Sequence, residues 1–356
     1  APLTKNAHVG KSAQSKQAGR TKTKKSDGVA ADSRAGSVAP GSEFAKHGCP
    51  ATGPSQHEDP SQAAYRHMVN GEKEMAVPLL NQVLQAKPND VWALYNLGSL
   101  LTDLSKDLQG AELLYIRALK VDPHHVPTMF NFAAILHTSD RTAEAERLYR
   151  RILEGQPNHI NALSNLGALL WDRRDSDEAE AILRRAISLE PAFPKPIANL
   201  ANLLRVERQD WESAEALYRR ALQLEPGDVQ TLANLGALLR TVRDDNVEAE
   251  PLLRRALDLD PKNVSALTTL GGLMLDHHSD IEAAQALNDR ALAIAPNDTY
   301  ALYNRGVLLE SFTPPDRKGA EEAFRAALKI DPTNRNAKAA LETLMNVDPG
   351  TSTDGR

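Results

Sequence analysis

Histidine, cysteine and carboxylate side chains carry most protein chemistry, and this chain offers few useful spacings of them. Cys49 is its single cysteine, and one thiol makes neither an internal disulfide nor a cysteine zinc site. His124-His125 and His277-His278 are adjacent pairs. Neighbours at i and i+1 do not share a helix face, so they read as turn or end-of-helix residues and not as ligands. The sequence contains no His-Glu-x-x-His, no cysteine pair and no Gly-rich phosphate loop after a strand. No nucleophile, base and orienting acid can be assembled from spacing. The expectation is a non-enzymatic protein with no catalytic residues, no cofactor and no metal.

A different chemistry does recur. Asparagine stands at Asn96, Asn131, Asn165, Asn199, Asn234 and Asn304, with Thr269 and Gln62 at equivalent points. A side-chain amide donates to a peptide carbonyl and accepts from a peptide N–H. A ladder of amides on one face can therefore hold an extended chain by its backbone, with little regard for its side chains. Equally, each amide can bond to the next unit of its own chain. Lys195, Arg205 and Arg240 gather in the same stretch and can pair with a ligand carboxylate. Tyr95, Phe130 and Tyr303 each precede a ladder asparagine, and Trp171 lies further along another segment. These four read as contacts between adjacent units.

The elements that would position such a ladder are helices. Prolines close apolar runs at Pro88, Pro123, Pro157, Pro191, Pro226, Pro261, Pro296 and Pro332, 34 to 36 residues apart. Twelve residues before each stands an alanine, from Ala76 and Ala111 to Ala284 and Ala320. Each unit holds two helical patterns. Leu94, Leu97, Gly98 and Leu101 show the first, and Ala179, Leu183 and Ala186 the second. Gly98, Gly167, Gly236, Gly271 and Gly306 let paired helices approach closely. Asp90, Asp228, Asn263 and Asp298 follow the prolines and suit the N-caps of the next helices. Arg150-Arg151, Arg184-Arg185 and Arg254-Arg255 fall on the remaining face and read as solvated surface.

Composition agrees. The chain has 356 residues, 41% hydrophobic and only 4% aromatic, with Ala and Leu dominant, which favours helix. No apolar run approaches the roughly 18 residues of a membrane span. Residues 1–60 are rich in Ser, Gly, Ala and Lys and carry nine Lys/Arg against five Asp/Glu, a net +4. The chain total is −5, which leaves −9 on residues 61–356. Residues 1–60 and 350–356 read as disordered tails, the first of them basic, around a body at 61–349. Ala1 to Arg20 contain no apolar block, which argues against a secretory signal.

The order Leu-Gly, Ala, Tyr/Leu/Phe, Ala, Pro at this period resembles the tetratricopeptide repeat over about residues 61–346, eight units. The resemblance implies an all-α, right-handed superhelical solenoid of helix-turn-helix units, its concave groove lined by the first helices. Asn336 to Met345 would form a C-terminal capping helix. Most units are one residue longer than the family's usual, with the extra residue between the glycine and the alanine; the last has two, near Thr313-Pro314-Pro315. The asparagine ladder resembles the peptide-binding repeat region of O-linked N-acetylglucosamine transferase. A lesser likeness to kinesin light chain rests on Asn-Leu-Gly at 165–167 and 234–236 and on Ala249-Glu250-Pro251-Leu252 leading to Arg255-Ala256-Leu257. The full Lys and Asn set of the carboxylate clamp in chaperone-binding repeat proteins is not present.

The function expected is that of a scaffold or adaptor holding an extended segment of a partner protein. One alternative is a non-catalytic targeting or assembly subunit of a larger, glycosyltransferase-like complex. Another is RNA binding through the basic segment, against which −9 on the body argues. The expected setting is cytoplasmic and without a membrane. A nuclear or organelle address in the basic segment is an alternative, since no acid precedes Asp27. The oligomeric state stays open.

Overall fold

The computed structural model of the chain describes residues 59–312 and 314–346. The basic tail up to residue 58, Cys49, Thr313 and the C-terminal residues 347–356 lie outside them. The described residues form α-helices and no strand. They run in pairs: α1 (Pro60–Val69) with α2 (Lys73–Ala86), α3 (Val91–Leu100) with α4 (Leu108–Val121), α5 (Val126–Thr138) with α6 (Thr142–Gly155), and α7 (Ile160–Asp172) with α8 (Ser176–Leu189). Then come α9 (Pro194–Leu203) with α10 (Trp211–Leu224), α11 (Val229–Leu238) with α12 (Asn246–Leu259), α13 (Val264–Asp276) with α14 (Ile281–Ile294), and α15 (Thr299–Glu310) with α16 (Arg317–Ile330). A last helix, α17 (Arg335–Asn346), buries Ala337 and Leu344 at the end of the stack. The first helix opens at Pro60, one residue ahead of the expected boundary.

First helices start where the caps were expected. Asp90, Asp228, Asn263 and Asp298 each accept from the backbone N–H three residues on, at 2.9, 3.2, 2.9 and 2.8 Å. His125 and His159 do the same through Nδ1, at 3.3 Å to Thr128 and 3.1 Å to Ala162. A neutral imidazole nitrogen serves there as the cap acceptor.

Several pairs close by a glycine notch. A Cβ on Gly98 would lie 2.6 Å from the Tyr115 ring, one on Gly167 2.6 Å from Leu183, and one on Gly236 2.8 Å from Leu253. The large side chain of the second helix sits where the glycine has none, and it is fully buried. Repeat seven differs. A Cβ on Gly271 would meet nothing nearer than 3.5 Å, and Asn288 stands at the sequence position that Leu183 and Leu253 hold in repeats four and six.

Neighbouring repeats are joined by a bond that the sequence reading missed. Arg117, Arg151, Arg185, Arg220 and Arg290 donate to the carbonyls of Pro88, Pro123, Pro157, Pro191 and Pro261, at 2.6 to 2.9 Å. The proline ends a helix and leaves its carbonyl without a helical partner; a guanidinium one repeat later supplies it. Arg151 and Arg185 are therefore joints and not merely solvated surface. Their neighbours Arg150, Arg184 and Arg254 pair with Glu146, Glu180 and Glu250 on their own helices.

The extra residues lie between the glycine and the alanine, as expected, and widen the end of the first helix. Where that spacing is 12, as in repeats three and four, a backbone bond spans five residues: Arg141 N–H to Leu136 O and Asp175 N–H to Leu170 O. Where it is 13, the bond spans six, as from Asp107 to Leu101, Asp210 to Leu204, Asp245 to Leu239 and Asp280 to Met274. In repeat eight the spacing is 14, and Asp316 reaches back seven residues to Leu309. Three of the wider closures are π-helical turns, Leu101–Ser105, Leu204–Arg208 and Leu239–Arg243. Each ends on a left-handed residue, Lys106, Gln209 or Asp244, with φ of 52 to 55°.

Candidate functional site

The first helices bring the asparagines into one register, but their amides are already engaged. Asn96 is 2% exposed and donates to the Trp92 carbonyl at 2.8 Å. Asn131 is buried and bonds to the Tyr115 hydroxyl, and Asn165 donates to the Tyr149 hydroxyl at 3.2 Å. Asn199 reaches Ser164 at 3.5 Å, and Asn304 donates to the Thr268 carbonyl at 2.9 Å, each across a joint. Asn234, also buried, donates to Asn202 Oδ1 at 2.8 Å and accepts from Gln230 at 3.1 Å. Asn165, Asn199 and Asn304 remain half-exposed.

The partners explain the pattern. A tyrosine stands 16 residues before Asn131, Asn165 and Asn234, at Tyr115, Tyr149 and Tyr218. These phenols are core residues, and burial raises the pKa of all three hydroxyls. A buried hydroxyl needs a partner, and the asparagine one repeat later provides it directly in two cases. In the third, Tyr218 donates to Asn202 at 2.6 Å and Asn234 joins the same oxygen. The spacing Tyr-x15-Asn was the signal in the sequence.

The three basic candidates separate. Arg205 and Arg240 sit in the π-helical turns and line one depression of about 880 Å³ on the first-helix face of repeats five to eight. Lys195, in the first turn of α9, is not among its lining residues. The Arg240 guanidinium lies over Gly272, where any Cβ would clash with it, and pairs with Asp276 at 2.5 Å. Arg205 Nε donates to the Tyr218 hydroxyl at 3.3 Å. Asn234, Tyr303 and Asn304 complete the wall. Tyr95 and Phe130, by contrast, are buried between repeats.

Among the described residues, no group of three or more His, Cys, Asp or Glu side chains is placed to hold a metal ion. No described helix is long and apolar enough to cross a membrane. His125 and His159 are helix caps, and His278 pairs with Glu250 at 2.9 Å.

A family model for the tetratricopeptide repeat matches residues 138–195 and 203–264. No curated protein sequence matches the chain. Among solved structures, the APC/C hetero-tetramer Cut9–Hcn1 superposes with a TM-score of 0.63 at 15% identity, over 80% of this chain and 55% of that one. The chain thus spans about half the length of that relative. A tetratricopeptide repeat protein from Parabacteroides merdae gives 0.52 at 18% identity, over 81% of this chain and 98% of that one. PilF of Pseudomonas aeruginosa gives 0.50 at 19%, over 59% and 94%. At such identities the likeness is one of fold, and it does not reach the narrower resemblance to the transferase or to kinesin light chain. Repeat signature, notched helix pairs and family match agree on tetratricopeptide repeats over residues 138–195 and 203–264, set in an all-α repeat solenoid, an architecture that supports protein-interaction scaffolds in general.

Proposed function

We propose that the array is a non-catalytic scaffold or adaptor that holds an extended segment of a partner protein along its first-helix groove, in a cytoplasmic setting. The observation that carries this reading is the depression across repeats five to eight, walled by polar first-helix side chains with small residues such as Ala237 and Gly272 on its lining. An extended chain has unpaired N–H and C=O groups, and the half-exposed amides of Asn165, Asn199 and Asn304 can meet them. With Asn96, Asn131 and Asn234 buried, these three do the amide part of the work.

The test is affinity capture with the tagged full chain beside the variant Ala237→Trp/Thr269→Trp, which fills the depression from two half-exposed positions. The wild type should retain specific proteins that the variant loses, while the two melt within a few degrees of each other. Retention of the same proteins by both would place the interaction elsewhere on the surface.

A further inference from the structure

Four arginines occupy the π-helical turns of repeats five and six, and three of them are neutralised. Arg208 pairs with Asp177 and Glu180, Arg240 with Asp276, and Arg243 with Glu215. Arg205 has no ion-pair partner among the described residues; its recorded bond goes to the neutral phenol of Tyr218. It is half-buried and faces the depression.

That bond fixes the polarity of everything behind it. A guanidinium can only donate, so Tyr218 accepts from Arg205 and must direct its own proton elsewhere. The proton goes to Asn202 Oδ1, 2.6 Å away, which makes that atom the oxygen and leaves the Asn202 NH₂ as a donor. Asn234 then donates to the same oxygen at 2.8 Å, and its own oxygen accepts from Gln230 at 3.1 Å. This assignment does not depend on telling amide N from O by eye, because it propagates from a group with no acceptor. The oxygens of Tyr218, Asn202 and Asn234 each accept a bond in this chain. The valences left on Arg205, at Nη1 and Nη2, are donors.

We infer that Arg205, on the wall of the depression, anchors an acidic side chain, Asp or Glu, of an extended partner segment; this rests on the groove reading above. Arg205, with only donors to offer and one uncompensated positive charge, calls for an acceptor with one negative charge. Asp244, Asp276 and Asp298 line the same depression and repel any anion, a dianionic phosphate about twice as strongly as a carboxylate, so the single charge of Asp or Glu is favoured over phosphate. A chain terminus is disfavoured as well. The first-helix face continues past Arg205 toward Asn199 on one side and toward Asn304 on the other, so a bound segment runs through rather than stopping.

The experiment selects a random 12-residue phage-displayed peptide library on the full chain, on Arg205→Gln and on the groove-filled variant Ala237→Trp/Thr269→Trp. The wild type should enrich peptides with Asp or Glu at one fixed position. Synthetic peptides from that set are then titrated with Glu, Gln or phosphoserine at the position. For the wild type, Glu→Gln should weaken binding about tenfold, as for a charge-assisted bond at a part-exposed site. For Arg205→Gln the two forms should bind within about twofold, and Arg205→Lys should restore part of the preference. A fixed acid that survives Arg205→Gln, tighter binding of phosphoserine, or selected peptides without a fixed acid would overturn the anchor while leaving the groove reading intact. Peptides recovered equally on the groove-filled variant would overturn the groove itself.

Discussion

Asn288→Leu should stabilise the protein. Asn288 is 1% exposed, and neither its amide nitrogen nor its oxygen has a hydrogen-bond partner. The equivalent positions in repeats four and six hold Leu183 and Leu253, both fully buried against Gly167 and Gly236. The Gly271 notch is looser, with its nearest atoms at 3.5 and 3.6 Å, so a leucine has room to enter. The core is also divided here: Leu267, Ala291 and Ala301 form one cluster, and Ala320, Phe324 and Leu344 another. Removing an unsatisfied buried amide is worth about 1–3 kcal/mol. Burying a leucine adds about 1.5–3 kcal/mol as an upper bound, because the denatured chain is not fully extended. The net gain should be about 2–4 kcal/mol. Urea unfolding of the full chain, followed by far-ultraviolet circular dichroism, should show it as a later transition of the C-terminal repeats, since stability in an array is summed over units and joints. Asn288→Ala separates the two contributions: it relieves the amide without filling the notch and should gain less. A leucine variant that unfolds at the same urea concentration or earlier would refute the reasoning, because the amide would then be satisfied in solution.

Two further outcomes follow from the joints and caps. Ala326 stands six residues before Pro332, where other repeats carry the joint arginine, so Ala326→Arg should reach the Pro296 carbonyl and raise stability by about 0.5–1.5 kcal/mol in the same unfolding assay; an unchanged midpoint would mean that this joint has a different geometry. Burial lowers the His159 pKa, so as pH falls below the ordinary histidine value of about 6.5 the unfolded chain takes up the proton first and stability drops until the folded form is protonated too. Asn, also a good cap, does not titrate, so in His159→Asn the contribution of this residue to melting temperature between pH 7.5 and 5.5 should vanish; an unaltered pH dependence would refute it.

The sequence announced what is local and periodic. Prolines, glycines and caps such as Asp90 and Asn263 act within a few residues, so their roles could be read directly. What stayed hidden depends on groups brought together by stacking. The partner of Asn165 is a phenol on the preceding helix, 16 residues earlier, and no single-residue argument distinguishes that from a ligand-facing amide. Arg185 looked like any solvated arginine because the carbonyl it serves belongs to Pro157, 28 residues earlier. His125 read as a turn or end-of-helix residue, but its capping role needed the imidazole tautomer and the Thr128 N–H in one view. Of the basic candidates, Arg205 and Arg240 line one depression, and Lys195, in the first turn of α9, lies outside its lining.

The five-, six- and seven-residue closures at the ends of the first helices determine what a length change does to this molecule. One added residue is taken up as a wider last turn, and the following helix still begins on a capped aspartate such as Asp210 or Asp316. The same insertion at a proline joint would rotate everything downstream by about 100° and pull an arginine off its carbonyl. Insertions and deletions are therefore tolerated along one edge of the solenoid and lethal to stacking along the other. Because Arg205 and Arg240 both ride on the widened turns, single-residue indels at that edge would move these two guanidiniums while keeping the scaffold.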